Sequence, residues 1–465
     1  MKTKKPLESG QALVIIALVI VVLFGFVALA IDGSAKFSDR RHAQNASDTA
    51  ALAGALALVN DETSLVNGVP VWKLDALNRA NDNGYVNDLV KDQVWVYQCN
   101  DPNRTNAPLD CGPYEGRSDY IEVVILSHVN TNFARVFGWD QFHNLVQTVT
   151  FVQKRGPAFP GNSLVALKPG GSGCPGEFIV GGSGTVTLDG GGLFVNSNNT
   201  GGGSCGAFTQ SGCNTILNVI NGGGIESVGE IATDPCNGND KINSTETEGA
   251  DPMDFPPNIV LPPPPECNAA GYTLPNNDTF NNISYLYPGK YDTLPPPEAT
   301  EDTIVMMAGN YCIYDIVKVT NATDLLRSGF TQADADNDDG DVFIYIKYSS
   351  KPAPLSIQGG TIDIDAPSSG DYQGYLIYVE PPPIVNNNYT GSSKNCTING
   401  GADDYFTGSI YAPYCDFTIN GGGNPNGFHA QLIAYTVTLS GNNDLYFSYD
   451  PDDSAINQPL VGLMR

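Results

Sequence analysis

The sequence predicts a mainly β protein. A long N-terminal transmembrane helix leads into a small α+β unit, and a right-handed parallel β-helix (solenoid) makes up the rest. Three observations carry this. The run from Ala12 to Ile31 is apolar and contains no charge. Helical and then alternating patterns fill the chain up to about residue 156. Beyond Gly161 glycine becomes frequent, helical periodicity stops, and short β-branched pieces recur. At 465 residues the chain exceeds one ordinary core, so two or more units are expected.

The apolar run comes first. At roughly 1.5 Å per helical residue it covers about 30 Å, the thickness of a bilayer's hydrocarbon. Lys2, Lys4 and Lys5 precede it, and positive flanks stay in the cytoplasm. The expected division is a cytoplasmic basic tail at 1–11, a transmembrane helix at 12–31, and everything after Asp32 outside. A cleaved secretory signal is the rival, but its apolar core should span about 7–15 residues and be followed by a loose mature terminus. Here a second helical pattern follows. Ala43, Ala46, Ala50, Ala53, Gly54 and Ala57 place small residues on one helical face, which lets another helix approach closely. One continuous, uncleaved helix is the expectation.

Gly10-Gln11, the apolar run, Asp32-Gly33, Arg40-Arg41, Gln44-Asn45-Ala46, Asp48 and the Ala50 to Ala55 stretch resemble the N-terminal segment of TadE/TadG-like proteins. These belong to the Flp (tight-adherence) pilus-assembly machinery. The resemblance is strong over residues 8–58 and loose over 59–156. Prepilins of this pathway are cut after a glycine and carry Glu five residues on; counted from Gly10 that position is Ile15, which favours the uncleaved TadG-like branch. The resemblance implies a non-enzymatic membrane protein whose partners are the bilayer and pilus or Tad machinery proteins. The candidate partner-contact residues are Ala46, Ala50, Ala53, Gly54 and Ala57, with Asp32, Arg40, Arg41 and Gln44. The competing reading of that face is packing within the chain.

Charge divides the chain. Residues 1–155 carry a net of −2, residues 156–465 a net of −25. A body that acidic repels nucleic acid and anionic lipid, which excludes nucleic acid as a partner. Trp72, Trp95 and Trp139 all lie in the first part. All ten cysteines follow Asn60, and none forms a C-x-x-C. That weighs against zinc or thioredoxin-like chemistry and favours disulfides in an oxidising compartment. Cys99 with Cys111, across a short polar loop, is the simplest pairing.

In chain order, Asn67-Gly68-Val69-Pro70 is a turn. Val71 to Leu89 carries apolar residues at helical spacing (Val71, Leu74, Leu77, Ala80). Val94 to Tyr97 and Tyr120 to Leu126 are expected to pair as strands. Phe133 to Gly138 is a short helix or turn, and Leu145 to Val152 alternates as a strand. These complete a unit over 32–156.

The solenoid is expected over 162–460. Thr185 to Gly190, Thr361 to Ile364, Thr397 to Gly401, Thr418 to Gly422 and Thr438 to Gly441 are similar pieces, and the last three are almost evenly spaced. A repeat of about 20 residues, with one alternating strand and a glycine corner, suits stacked units that share a core. A jelly roll or sandwich is the alternative, which would want more tight hairpins. Residues 234–297, rich in Pro, Asn, Asp and Glu, are expected as an insertion of loop and polyproline II without ladder strands, with strand structure restarting at Leu286 to Tyr291.

Candidate chemistry is sparse. Asp334, Asp336 and Asp338 alternate before Gly340 as in a calcium loop, but Asp339 breaks the spacing and no bidentate Glu follows. A solvated acidic turn is the plain alternative, so calcium is a possible cofactor and no other is expected. Asp403-Asp404 with His429 resembles the carboxylates and histidine of polygalacturonases. However, Arg327 is the one arginine between 157 and 464, too few for a cleft that holds acidic sugars. The D-x-S-x-S metal motif of the von Willebrand A domains found in some TadG-like proteins fails at Lys36. No P-loop, nucleophile elbow or dinucleotide fingerprint is present. The expectation is a single-pass protein of the cytoplasmic membrane, not an enzyme, that presents an extracytoplasmic acidic β-helix for pilus assembly, anchoring or adhesion. The alternative is a membrane-tethered or secreted β-helix that cleaves or binds carbohydrate, with a polysaccharide or cell-surface ligand.

Overall fold

The computed structural model describes residues 9–60, 64–87, 92–102, 104, 108–170, 176–201, 205–233, 241–257, 259, 261–274, 283–320, 323–327, 341–386, 388–399, 405–421, 428–440, 444–457 and 459–464. The protein is mainly β, with one long apolar helix at its N-terminal end and a many-stranded parallel sheet. It divides into two units, residues 1–155 with 458–465, and residues 156–457. The second is therefore inserted in the chain of the first.

In the first unit, helix α1 runs unbroken over Ser9–Asn60. Helix α2, Val71–Asp82, starts directly after Pro70, whose fixed φ and missing N–H suit a helix start. It stops at Asp82, not at Leu89, because Gly84, just past the C-cap Asn83, takes φ +91 and turns the chain into the left-handed region. Four antiparallel strands form a sheet in the order Asp92–Gln98, Tyr120–Asn130, Gln141–Gln153, Leu460–Met464. The first three fall where alternation places them, each longer than the sequence indicated. The fourth starts at the last residue of the expected 162–460 solenoid and returns as an edge strand here. The short element after Tyr120–Asn130 is a 3-10 helix, Ala134–Phe137. Ala43, Ala46, Ala50, Ala55 and Leu58 of α1 are buried in one cluster with Trp72, Ala76 and Ala80 of α2 and Val94, Ile121, Val123 and Val146 of the sheet.

In the second unit, 24 strands among the described residues form one hydrogen-bonded sheet, parallel throughout except where Thr273–Leu274 meets Ile283–Leu286. The strands align in files whose buried residues stack one above another. One file reads Tyr311, Ile344, Ile377, Ile410, Leu432, Leu164, Leu193, Ile225. A second reads Leu294, Val317, Leu355, Cys396, Phe417, Val437, Phe178, Phe208, Ile231. In both, residues near 435 come directly before residues near 170. The stack begins near residue 290, runs to residue 448, and continues into 162–248, so chain order and spatial order differ. The recurring pieces are in register: Ile398, Ile419 and Leu439 stack inside, while Asn399, Asn420 and Ser440 bond outside. Phe406, Phe428 and Phe447 stack with ring centres 5.1 and 5.0 Å apart.

The segment expected to lack ladder strands contains several. Ile242–Asn243, Glu246–Glu248, Ile283–Leu286 and Gly289–Leu294 all join the sheet. The first two are so short that the surrounding Asn and Glu conceal them, while the last two fall at the Leu286 to Tyr291 restart that the sequence indicates. Among the described residues, 249–269 carry no strand, and this part works as a strap. Asn196 exchanges bonds with Met253 (2.7 and 3.0 Å). Further along, the Tyr411 hydroxyl donates to the Ile259 carbonyl and the Tyr372 hydroxyl to the Pro262 carbonyl. Ile259 and Leu261 are buried among Phe194, Phe343, Tyr345, Tyr375, Tyr378 and Tyr411. The strap thus joins the file residues near 194 to those near 345–411.

Candidate functional site

The residues singled out by sequence lie on α1. Leu13 to Leu29 are exposed along the helix, at mean hydropathy 3.4 in the most apolar window. An exposed apolar surface of that length fits one membrane crossing. Polar contacts begin where it ends. Asp32 is 3% exposed. Its carboxylate accepts the backbone N–H groups of Asn132, Phe133 and Ala134 at 2.8, 2.9 and 2.6 Å. Burial pushes the Asp32 pKa up, but the amides of Asn132, Ala134 and Phe133, with Arg135 nearby, outweigh it and hold the group below the ordinary carboxylate range.

Two turns further up, Asp39 collects Ser127 (2.5 Å), Asn144 (2.7 Å) and the Tyr85 hydroxyl (3.2 Å). The same hydroxyl lies 3.1 Å from His42 Nδ1, and burial, with Asp39, raises its pKa. Gln44 Nε2 donates to Asp48 (2.9 Å) and Thr148 (3.1 Å), and Thr148 donates to Asp48 (2.6 Å). Ser47 donates to the Val123 carbonyl at 2.9 Å. Asp39, Ser47, Asn144 and Thr148 were not singled out by sequence. The signal was present: Asp32, Asp39 and Ala46 are seven apart, so one stripe of α1 faces the sheet along its length.

The small-residue face is occupied within the chain. Ala46 and Ala50 are 0–1% exposed. A Cβ on Gly54 would meet Ala76 Cβ at 3.0 Å and the Trp72 carbonyl oxygen at 3.1 Å. Ala53 and Ala57 are half-buried, and Arg40 and Arg41 are exposed. Intramolecular packing is thus what Ala46, Ala50 and Gly54 do, while the two arginines remain open to a partner.

Cys99 and Cys111 are disulfide-bonded, as are Cys267 with Cys312 and Cys396 with Cys415. Beside the first, Arg104 pairs with the buried Glu122 at 2.9 Å and with Glu115. Burial is the largest influence on Glu122 and pushes its pKa up. Next to it, an open cavity of about 640 Å³ is lined by Gln44, Asp48, Asp110, Gln147, Leu463 and Met464, among others.

Asp334, Asp336 and Asp338 lie outside the described residues, as do Asp403 and Asp404. Among the described residues no group of three or more His, Cys, Asp or Glu is placed to hold a metal ion. His429 is described: its Nδ1 is 2.5 Å from Ser448 Oγ, with the Tyr405 ring 4.6 Å from its own.

Residues 10–57, the span and solvent-side part of α1, match the family model described as Flp pilus-assembly TadE/G-like. Comparison with curated proteins and with solved structures returns no match. The matched segment and the apolar helix fit a membrane protein of Flp/Tad pilus-assembly type.

Proposed function

We propose that this is a non-enzymatic, single-pass protein of the cytoplasmic membrane that serves Flp/Tad pilus assembly or anchoring, with its N-terminus inside and its acidic body outside. The observation that carries the reading is the match over residues 10–57, which falls on the one helix apolar enough to span a bilayer among the described residues. Lys2, Lys4 and Lys5 before the span support the orientation. The disulfides support an oxidising exterior.

The body is read as a right-handed parallel β-helix. The files of stacked apolar residues, the near-even registers of the repeated pieces and the parallel pairing support this. Such a body, at a net of −25, offers a stiff, soluble surface for adhesion or for contact with other machinery, and it uses no cofactor. Exposed Arg40 and Arg41 are the partner-contact positions this reading retains on α1.

The test is the N-terminal residue and membrane fractionation of the mature protein from its native cell, with external protease applied to spheroplasts. An intact N-terminus in the membrane fraction with a protease-sensitive body is expected. A terminus at Gln11 would make it a processed pilin-like subunit. A soluble protein starting beyond Ala30 would overturn the anchor.

A further inference from the structure

The strands Tyr120–Asn130 and Gln141–Gln153 form a hairpin alongside α1, and the contacts between them fix which end is which. Passing down α1 toward the span, Ser47 meets Val123, Gln44 meets Thr148, Asp39 meets Ser127 and Asn144, and Asp32 meets Asn132 to Ala134. The hairpin tip, residues 131–140, therefore lies level with Asp32. Asp32 is the first residue past the apolar run, so the tip's anchor stands about 1.5 Å of helix rise beyond the hydrocarbon.

That tip is apolar where a tip in water would be polar. Phe133 is 43% exposed, Val136 81% and Trp139 62%. Three carboxylate hydrogen bonds and a 3-10 turn hold it in place. Arg135, between the apolar residues, adds a cation where anionic head groups lie. Aromatic rings with a polar edge are enriched at this depth, and apolar side chains beside a cation suit the head-group boundary.

We propose that the tip 131–140 is a second membrane contact, with Phe133, Val136 and Trp139 seated in the interfacial layer of the same bilayer that α1 crosses. The occupant is lipid because the tip's depth is set by Asp32 at the end of the span. The inference rests on the reading of residues 12–31 as a membrane span. It assigns Asp32 the role of holding the tip at the head-group level.

Trp139 reports the depth directly. The other two tryptophans lie far up the unit. Trp72 is beside Gly54, roughly 33 Å of helix above Asp32, and Trp95 pairs with Val124, next to the Val123 that meets Ser47, roughly 22 Å above. The full chain is reconstituted in phosphatidylcholine vesicles, with and without bromine on the acyl carbons nearest the glycerol, and separated by flotation. Brominated lipid is expected to quench the wild-type fluorescence and to lose that effect in Trp139→Phe. A Val136→Glu, Phe133→Glu variant that keeps the wild-type circular dichroism should also lose it. Vesicle-bound protein in which Trp139 is quenched by aqueous acrylamide and not by bromine overturns the inference but leaves the anchor standing. Protein that fails to float with the vesicles overturns both.

Discussion

Ile419→Asp tests the strand registers of the body at one residue. Ile419 is 1% exposed and stacked between Ile398 and Leu439. Truncating a buried isoleucine removes its transfer free energy and leaves a cavity, costing about 2–5 kcal/mol. Aspartate leaves a similar hole and adds a group that must either bury a charge or take up a proton, so the total reaches roughly 5 kcal/mol or more. For a unit of this size about 2 °C of melting temperature corresponds to each kcal/mol, which gives a drop of roughly 10 °C. The adjacent Asn420 is the control. It is half-exposed and bonds Asn399 and Ser440 at 2.6 and 2.5 Å. Asn420→Ala should cost about 1 kcal/mol, or roughly 2 °C. The assay is thermal unfolding of the full chain in detergent, followed by far-ultraviolet circular dichroism. If Asn420→Ala destabilised as much as Ile419→Asp, inside and outside would be exchanged and the register would be wrong.

Two further outcomes follow from the first unit. Gly54→Leu should destabilise by roughly 1–3 kcal/mol, because α2 must move away from α1 to admit the side chain. Gly54→Ala should be closer to neutral, since a gain of about 1 kcal/mol in helix propensity offsets the tight contact; Trp72 fluorescence against temperature reads both. Asp32 is held below its ordinary pKa of 3.8 in the folded protein, so its contribution is complete at neutral pH and is lost as pH falls through that lowered value. Acid unfolding of wild type should therefore be steeper below pH 3.8 than that of Asp32→Asn, measured by circular dichroism from neutral pH downward; parallel profiles would refute the role given to the three amides.

The sequence made legible whatever its own periodicity encodes locally. The apolar run, the continuous α1, the central strands of the small sheet, the Cys99–Cys111 pairing and the Thr-Ile-Asn repeats all depend on residues close to one another in the chain. Partners far apart in the chain were not legible. Leu460–Met464 has no pattern that distinguishes a returning edge strand from a tail, because its register depends on Gln141–Gln153, on the far side of the whole inserted unit. Ile242–Asn243 contributes only a short rung to a ladder and leaves no period to detect. The Asp32 contact was half visible. The residue stood out as the first charge after the span, but its amide donors are backbone groups, which side-chain patterns do not reveal.

The displaced order of the stack bears on how the second unit folds. A chain synthesised from its N-terminus presents residues 162–248 early, with Leu164, Phe178 and Val186 on an open strand edge. The strands that cover this edge, Phe428–Ser440 and Leu445–Ser448, arrive last. The bonds that seal the join connect distant parts of the chain, among them Tyr446 to Asp189 and the Gly161 amide to Tyr449. An unpaired apolar edge invites pairing with other chains. Folding of this unit is therefore a race between the arrival of its final strands and aggregation, so losing those strands harms the earliest part of the unit to be made.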